Sequence, residues 1–252
     1  MKSFERKQHI LDLTKKHTFI LISDLIRDLH SSESTIRRDI EELVSKNLVI
    51  RSQGAVIWND KSNLYKENVY FRTEQNLLTK TKITKTASEL IEPREMIFID
   101  TGTTMLELAK NLSEDCNLSV VTNDLKIALE LENKYNVTTI MLGGIVKRGT
   151  HTTIENTGTE FLNNVCFQKA FFSPAGISDE GFYFLNLQAM DIRKKIAEKS
   201  EKMIMVADSA KFDKKATVLG FPFSECDILV TDTCSQEWKD KISPSTHIII
   251  AQ

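Results

Sequence analysis

The stretch Ser32-Glu33-Ser34-Thr35-Ile36-Arg37-Arg38-Asp39-Ile40-Glu41-Glu42-Leu43-Val44-Ser45-Lys46 decides how the amino-terminal part of the chain is read. Ile36, Ile40, Leu43 and Val44 recur at i, i+4, i+7 and i+8, the buried stripe of one amphipathic helix, which Ser31 or Ser32 can cap. At about 100° per residue the opposite face carries Ser34, Thr35 and Arg38, with Arg37 at its edge. Asp39, Glu41 and Glu42 follow at once, and three carboxylates lying along DNA would be repelled by its phosphates. Only the first turns of this helix can enter a groove, the end-on docking of a recognition helix, where an arginine can also pair with guanine. The competing reading pairs Arg37 and Arg38 with Glu41 and Glu42 on a solvated face.

Outward from that helix the pattern supports docking. Ser23-Asp24 reads as the start of a short helix that buries Leu25, Ile26 and Leu29, and His30-Ser31 makes a tight connection to the next. Before it, Ile10, Leu11 and Leu13 mark a first helix ending near His17. After it, strands from Leu48 to Arg51 and from Ala55 to Trp58 flank a Ser52-Gln53-Gly54 turn. The plan is that of an α+β winged helix-turn-helix, expected to meet double-stranded DNA through Ser34, Thr35, Arg37, Arg38 and Arg51, with Lys2, Arg6 and Lys7 as candidate phosphate contacts.

The whole chain has 252 residues, with 33 basic against 35 acidic side chains, so bulk attraction to a polyanion is excluded and any DNA contact must be local. Composition changes at Pro93. Before it stand one glycine (Gly54), no proline, and 16 basic against 13 acidic residues; from Pro93 onward stand eight glycines, four prolines, and 17 basic against 22 acidic. A weakly basic helical head thus precedes an acidic, turn-rich body. The expected division is a DNA-binding domain at 1–58, a linker at 59–75 where apolar patterning is weakest, and a sensing domain at 76–252. Cys116, Cys166, Cys226 and Cys234 read as ordinary thiols, the five histidines are scattered, and neither a metal site nor a cofactor is expected. With no signal peptide and no membrane-length apolar run, a cytoplasmic protein is expected.

In the body, strands fit at Met96–Asp100, Leu118–Thr122, Val137–Leu142, Ala170–Phe172, Met203–Ala207, Ile228–Thr231 and His247–Ile250. Helices fit at 83–91, 104–112, 124–134, 159–165 and 188–200, giving an α/β domain with a mainly parallel sheet. Ligands of such sheets bind beyond the carboxyl ends of strands, and the residues there form a chemical set. Asp100-Thr101-Gly102-Thr103-Thr104 leads into a helix, an arrangement of hydroxyls, close backbone and helix N-terminus that can cradle an anion. Thr122 and Asn123, Gly143 and Gly144, and Asp208-Ser209-Ala210-Lys211 end further strands. Lys80 and Lys211 can supply positive charge, and Asp100 and Asp208 can accept from hydroxyls. Neither a dinucleotide fingerprint nor a Walker loop occurs.

The run from Ser32 to Ile40, with Leu43 and Arg51-Ser52-Gln53-Gly54-Ala55, resembles the helix-turn-helix signature of the DeoR family of bacterial transcriptional regulators. Ser31 stands where that family has an apolar turn residue, and Ser-Gln-Gly-Ala replaces His-Gly-Gly-Ala in the wing. Asp100 to Thr104, Val121 to Asn123, Leu142 to Gly144, Gly176-Ile177, Glu180-Gly181, Asp208 to Phe212 and Ile228 to Asp232 occur in the family's order. The resemblance implies a sensor similar in fold to phosphosugar isomerases and coenzyme A transferases. It also implies a repressor of a carbohydrate or related metabolite operon, controlled by a small phosphorylated sugar or acidic metabolite held near Lys80, Thr103, Thr104 and Lys211. Two departures bear on ligand identity: Gln168 in Gln168-Lys169-Ala170-Phe171 replaces an aspartate, and Glu92-Pro93-Arg94-Glu95 replaces an Asp-Gly-Asp turn.

A homo-oligomer, dimer or tetramer, is expected, because one short recognition helix buries too little surface for operator affinity. The alternative is a sugar-phosphate isomerase with Asp100, Asp208 or Glu180 as base and Lys211 as electrophile, although no carboxylate is singled out as a base by its spacing.

Overall fold

The computed structural model describes residues 3–17, 19–45, 48–52, 54–59, 76–147, 150–154, 160–242, 244 and 246–252. The chain separates into two compact units, 1–71 and 72–252. The expected linker, 59–75, lies outside the described residues except for Asn59.

The first unit runs α1 (Ser3–Lys16), β1 (Phe19–Leu21), α2 (Ile22–Asp28), α3 (Glu33–Ser45), β2 (Val49–Ser52) and β3 (Ala55–Trp58). Its antiparallel sheet has the order β1-β3-β2. Ile10, Leu25, Ile36 and Ile40 are fully buried at its centre, so the stripe read on α3 is the face that packs. Strand β1 was not expected, since three residues are too short to show alternation. It also corrects the expected helix start at Ser23-Asp24: the chain passes directly from β1 into α2, and the Ile22 N–H donates to the Gly54 carbonyl at 2.7 Å. Leu21 in the cap position gives no side-chain bond, and Asp24 instead pairs with Arg27 at 2.8 Å.

The second unit is built on a parallel sheet of seven strands in the order β15-β14-β12-β9-β4-β5-β6. These are β4 (Met96–Ile99), β5 (Leu118–Thr122), β6 (Val137–Met141), β9 (Phe167–Phe172), β12 (Ser200–Val206), β14 (Ile228–Thr231) and β15 (His247–Ile250). All seven coincide with expected strands. Helices α4 (Leu77–Ser88), α5 (Thr103–Lys110) and α6 (Leu125–Glu132) cover one face and α7 (Met190–Glu198) and α8 (Gln236–Lys241) the other. Alternation along β4 shows the division: Ile97 and Ile99 join the α4–α6 layer, and Phe98 joins the layer of Phe167, Phe172 and Met190. A ribbon of β7 (Ile145–Lys147) and β8 (Thr152–Ile154), and a small antiparallel sheet of β10 (Gly176–Ser178), β11 (Gly181–Phe184) and β13 (Val218–Phe221), were not expected.

Two helix expectations are corrected. The first body helix begins at Leu77, six residues before the expected start, because a threonine- and lysine-rich turn precedes its buried Ile83. Of the expected helix 159–165 only the 3-10 turn Phe161–Asn163 forms, with Asn163 and Asn164 too ready to bond locally to continue it. Among the described residues no helix is long and apolar enough to cross a membrane.

Strand order locates the site. From β4 the chain adds β5 and β6 on one side, then returns to add β9, β12, β14 and β15 on the other. The direction reverses between β4 and β9, the switch point beyond whose carboxyl ends ligands of such sheets bind.

Candidate DNA-binding and effector sites

In the first unit, the end of α3 that would lead into a groove carries a hydroxyl cluster. Ser32 Oγ lies 2.8 Å from Thr35 Oγ1 and 3.1 Å from Ser34 Oγ, and it caps the helix weakly by accepting from the Thr35 N–H at 3.4 Å. Ser34 and Arg38 are exposed and Thr35 half-buried. Arg37 donates from Nε to Glu33 at 2.7 Å, a helical-spacing pair on the exposed face of the competing kind, with Glu33 in place of Glu41. Arg38 has no ion-pair partner among the described residues. Arg51 reaches back from β2 to Glu41 at 3.4 Å, joining wing to recognition helix.

Two expectations about charge are corrected. Asp39 does not face the phosphates; it is buried and paired with Arg6, which is itself buried and so is no phosphate contact. Lys7 pairs with Glu42 at 2.5 Å, and Lys2 lies outside the described residues.

In the second unit, β4 ends on Asp100, fully buried, whose Oδ2 accepts from Nε of Arg193 on α7 at 2.8 Å. Arg193 also lies over the Phe184 ring, 4.6 Å from its centroid. The other carboxylate oxygen, Asp100 Oδ1, is buried with no hydrogen-bond partner. So are both polar atoms of the Asn123 side chain, at the end of adjacent β5. Buried polar atoms are nearly always bonded, and three orphans at two neighbouring strand ends mark a place where a polar molecule is wanted.

Beyond Asp100 the chain turns through Gly102, φ +124°, into α5 with no side-chain cap. A β-carbon there would meet nothing within 4 Å, so the loop faces open space. Lys80 of α4, buried, donates from Nζ to Thr103 Oγ1 at 3.0 Å and brings a cation to that loop. Asn76, just before α4, donates to Asp208 Oδ1 at 3.3 Å at the end of β12. The first turn of α4 therefore reaches both strand ends that flank β9. Thr104 is buried in the first turn of α5, and Thr122 accepts the Asp124 N–H at 3.2 Å.

The remaining expected residues are more peripheral. Gly143 and Gly144 carry the chain from β6, two strands from β4, into the β7–β8 ribbon. That ribbon folds back on the site: Thr153 N donates to the Asn123 carbonyl at 2.9 Å, and the Thr152 and Thr101 hydroxyls meet at 2.9 Å. Lys211 sits in the 3-10 turn Ser209–Lys211 after β12, two strands from β4 on the other side.

Four residues were missed. Arg193 looks in the sequence like any solvated helical cation. Thr152 lies on a ribbon too short to read, and Asn76 stands at the first position of the expected sensing domain, where no motif marks it. Asp124 was legible as an acid between strand and helix: it caps α6 through the Lys126 N–H at 2.9 Å and accepts the Gly102 N–H at 3.3 Å. Burial raises its pKa from 3.8, and its bonds to Thr101 and to the amides of Lys126, Gly102 and Ile127 offset only part of that.

The two sequence departures sit together at the amino ends of β4 and β9. Lys169 pairs with Glu95, and the Gln168 side chain accepts the Met96 N–H at 2.8 Å. These bonds lie roughly 13 Å along the strand from Asp100. As for the isomerase alternative, Glu180 is exposed on the small sheet, its carboxyl held low by Lys215 and Tyr183. Among the described residues no group of three or more His, Cys, Asp or Glu side chains could hold a metal ion.

Residues 75–233 match the model of the DeoR C-terminal sensor domain, and residues 6–62 match that of the DeoR-like helix-turn-helix domain. An uncharacterised HTH-type transcriptional regulator of Haemophilus influenzae is 32% identical, over 90% of this chain and 89% of that one. The glycerol-3-phosphate regulon repressor of Escherichia coli is 28% identical over 92% of each. A ribose 5-phosphate isomerase A structure from Neisseria gonorrhoeae aligns with a TM-score of 0.41 at 19% identity, over 56% of this chain and 55% of that one, a likeness too loose to carry an argument.

Proposed function

Because the chain belongs to the DeoR family of transcriptional regulators, we propose that it represses a carbohydrate or related metabolite operon and is controlled by a small phosphorylated sugar or acidic metabolite bound at the β4/β9 crevice. The observation that carries this reading is the set of orphaned buried atoms, Asp100 Oδ1 and the Asn123 amide, beside a loop supplied with a cation by Lys80. Gly102, Thr103 and Thr104 take the anionic group at the start of α5, with Lys80 as its counter-charge and Lys211 at the rim. Asp100, Asn123 and Asp208 accept from or donate to the rest of the molecule, while Thr122 stands at the end of β5 and Gly143 and Gly144 form the outer edge beyond β6. The Escherichia coli relative is named as the repressor of a glycerol-3-phosphate regulon, and glycerol 3-phosphate is a small phosphorylated metabolite of this class.

On DNA, α3 docks by its first turns, with Ser34, Thr35, Arg37 and Arg38 toward base edges and phosphates and Arg51 on the flanking backbone. A dimer or tetramer supplies the repeated heads that a net charge of -2 makes necessary, and the effector favours one conformer over another. A thermal-shift screen of small sugar phosphates and sugar acids tests the sensor, since a ligand at about 100 times its Kd adds roughly 2.7 kcal/mol of stability. Hits that vanish in Lys80→Ala and Asn123→Ala support the site. A full set of phosphates and sugar acids that leaves the melting temperature unmoved removes it.

A further inference from the structure

Asp39 follows Arg37 and Arg38 directly in the recognition helix, yet it is only 4% exposed. Its Oδ2 accepts from Nε of Arg6 and its Oδ1 from the Ser3 hydroxyl at 3.2 Å, both on α1. Arg6 is 8% exposed and cannot reach a phosphate from that position. On the next turn Lys7 Nζ meets Glu42 at 2.5 Å. The opening turns of α1 thus set a hydroxyl and two cations against two of the carboxylates that would otherwise oppose DNA.

We propose that α1 serves DNA recognition through α3 and not by contact with DNA: Arg6 is a positioning residue that fixes the rotation of the recognition helix by holding Asp39 inward, and Lys7 neutralises Glu42. Since Arg37, Arg38 and Asp39 are consecutive, any roll of α3 that turns Asp39 outward carries both arginines off their targets and presents a carboxylate to the phosphates. A buried carboxylate stripped of its cation drives that roll, because a lone charge is strongly disfavoured in an apolar interior. This rests on the docking of α3 described above.

The test uses the full chain and a duplex enriched by the wild type from a randomised library, with a scrambled duplex as comparison. Arg6→Met, Asp39→Asn and the double variant are measured for affinity across a salt series, at temperatures where calorimetry shows each folded. Arg6→Met should bind the enriched duplex at least about tenfold more weakly and discriminate less against the scrambled one. The double variant, which buries no charge, should return to within about threefold of wild type. The slope of log K against log salt should be the wild-type slope in the double variant, because Arg6 displaces no counterion. A slope shallower by about 0.9 in the double variant would make Arg6 a phosphate contact and overturn the proposal. So would a folded Arg6→Met chain that binds and discriminates like wild type, since the pair would then serve stability alone. Should Arg6→Met not fold, the salt slope and affinity of the double variant decide. A wild-type chain that enriched no sequence would sink the DNA-binding reading itself, and this proposal with it.

Discussion

Arg193 and Asp100 meet at 2.8 Å with their side chains 5% and 1% exposed, and the aspartate keeps one oxygen unbonded. The pair ties the carboxyl end of β4 to α7, and Asp100 Oδ1 has no hydrogen-bond partner among the described residues. Arg193→Met should therefore leave an uncompensated buried carboxylate and destabilise the second unit by about 3–5 kcal/mol. At about 2–4 °C per kcal/mol, calorimetry should show a melting point lowered by roughly 6–20 °C. Arg193→Met/Asp100→Asn should regain most of it. A single variant melting within a degree of wild type would mean that the pair is solvated.

The two functions should separate by mutation. Arg38→Ala should weaken operator binding by roughly 5–150-fold, the range of about 1–3 kcal/mol for one arginine contact, and leave effector affinity intact. Lys211→Ala should keep DNA binding and blunt the effector response. Gel-shift titrations with and without the screened ligand check both. An Arg38→Ala chain binding as tightly as wild type at matched salt would show that α3 does not dock by its first turns.

Legibility followed the range of the interactions. Several strands of the main sheet were readable because strands covered on both faces carry continuous apolar runs, as at Ile97–Ile99, Ala170–Phe172 and Met203–Val206, whereas edge strand β6 is interrupted by Thr138 and Thr139; Ile36, Ile40 and Leu43 were readable because helical period alone sets their face. What stayed hidden depends on partners distant in sequence: Arg6 with Asp39, 33 residues apart; Arg193 with Asp100, 93 apart; Asn76 with Asp208, 132 apart. No local pattern distinguishes those three side chains from surface residues. The partners of Gln168 and Glu95 were hidden for the same reason, since Glu95 meets Lys169 and Gln168 meets the Met96 backbone across two strands.

Gly102 is the backbone position on which the anion loop turns. Its φ of +124° is a conformation that side-chain-bearing residues rarely adopt, and a methyl there would project into the open space that the loop faces. Gly102→Ala should lower stability by about 1–3 kcal/mol and reduce effector affinity by more than that strain alone explains. Isothermal titration with a ligand from the thermal screen, at a temperature where the variant is folded, separates the two. Unchanged affinity would place the anion elsewhere.

Asp124 gives the site a pH dependence whose sign follows from its burial. The folded protein holds its proton more tightly than the unfolded chain does, since burial raises its pKa above 3.8. The stability this group contributes is therefore greatest in acid, is lost as pH rises from about 3.8 to the raised folded value, and is constant above it. Asp124→Asn keeps an oxygen to cap α6 through Lys126, gives up the bond from the Gly102 N–H at every pH, and has no proton to lose. Subtracting its melting temperatures from wild type between pH 4 and 8 should give a difference that falls with rising pH and then levels. Deprotonation also puts a negative charge 3.3 Å from the Gly102 N–H, on the loop offered to the effector anion, so Asp124→Asn should bind that anion more tightly at neutral pH and lose the advantage toward acid. A stability difference that instead grew with pH would mean that the helix cap and the Gly102 bond outweigh burial, and that the carboxylate is an ordinary acid of the site.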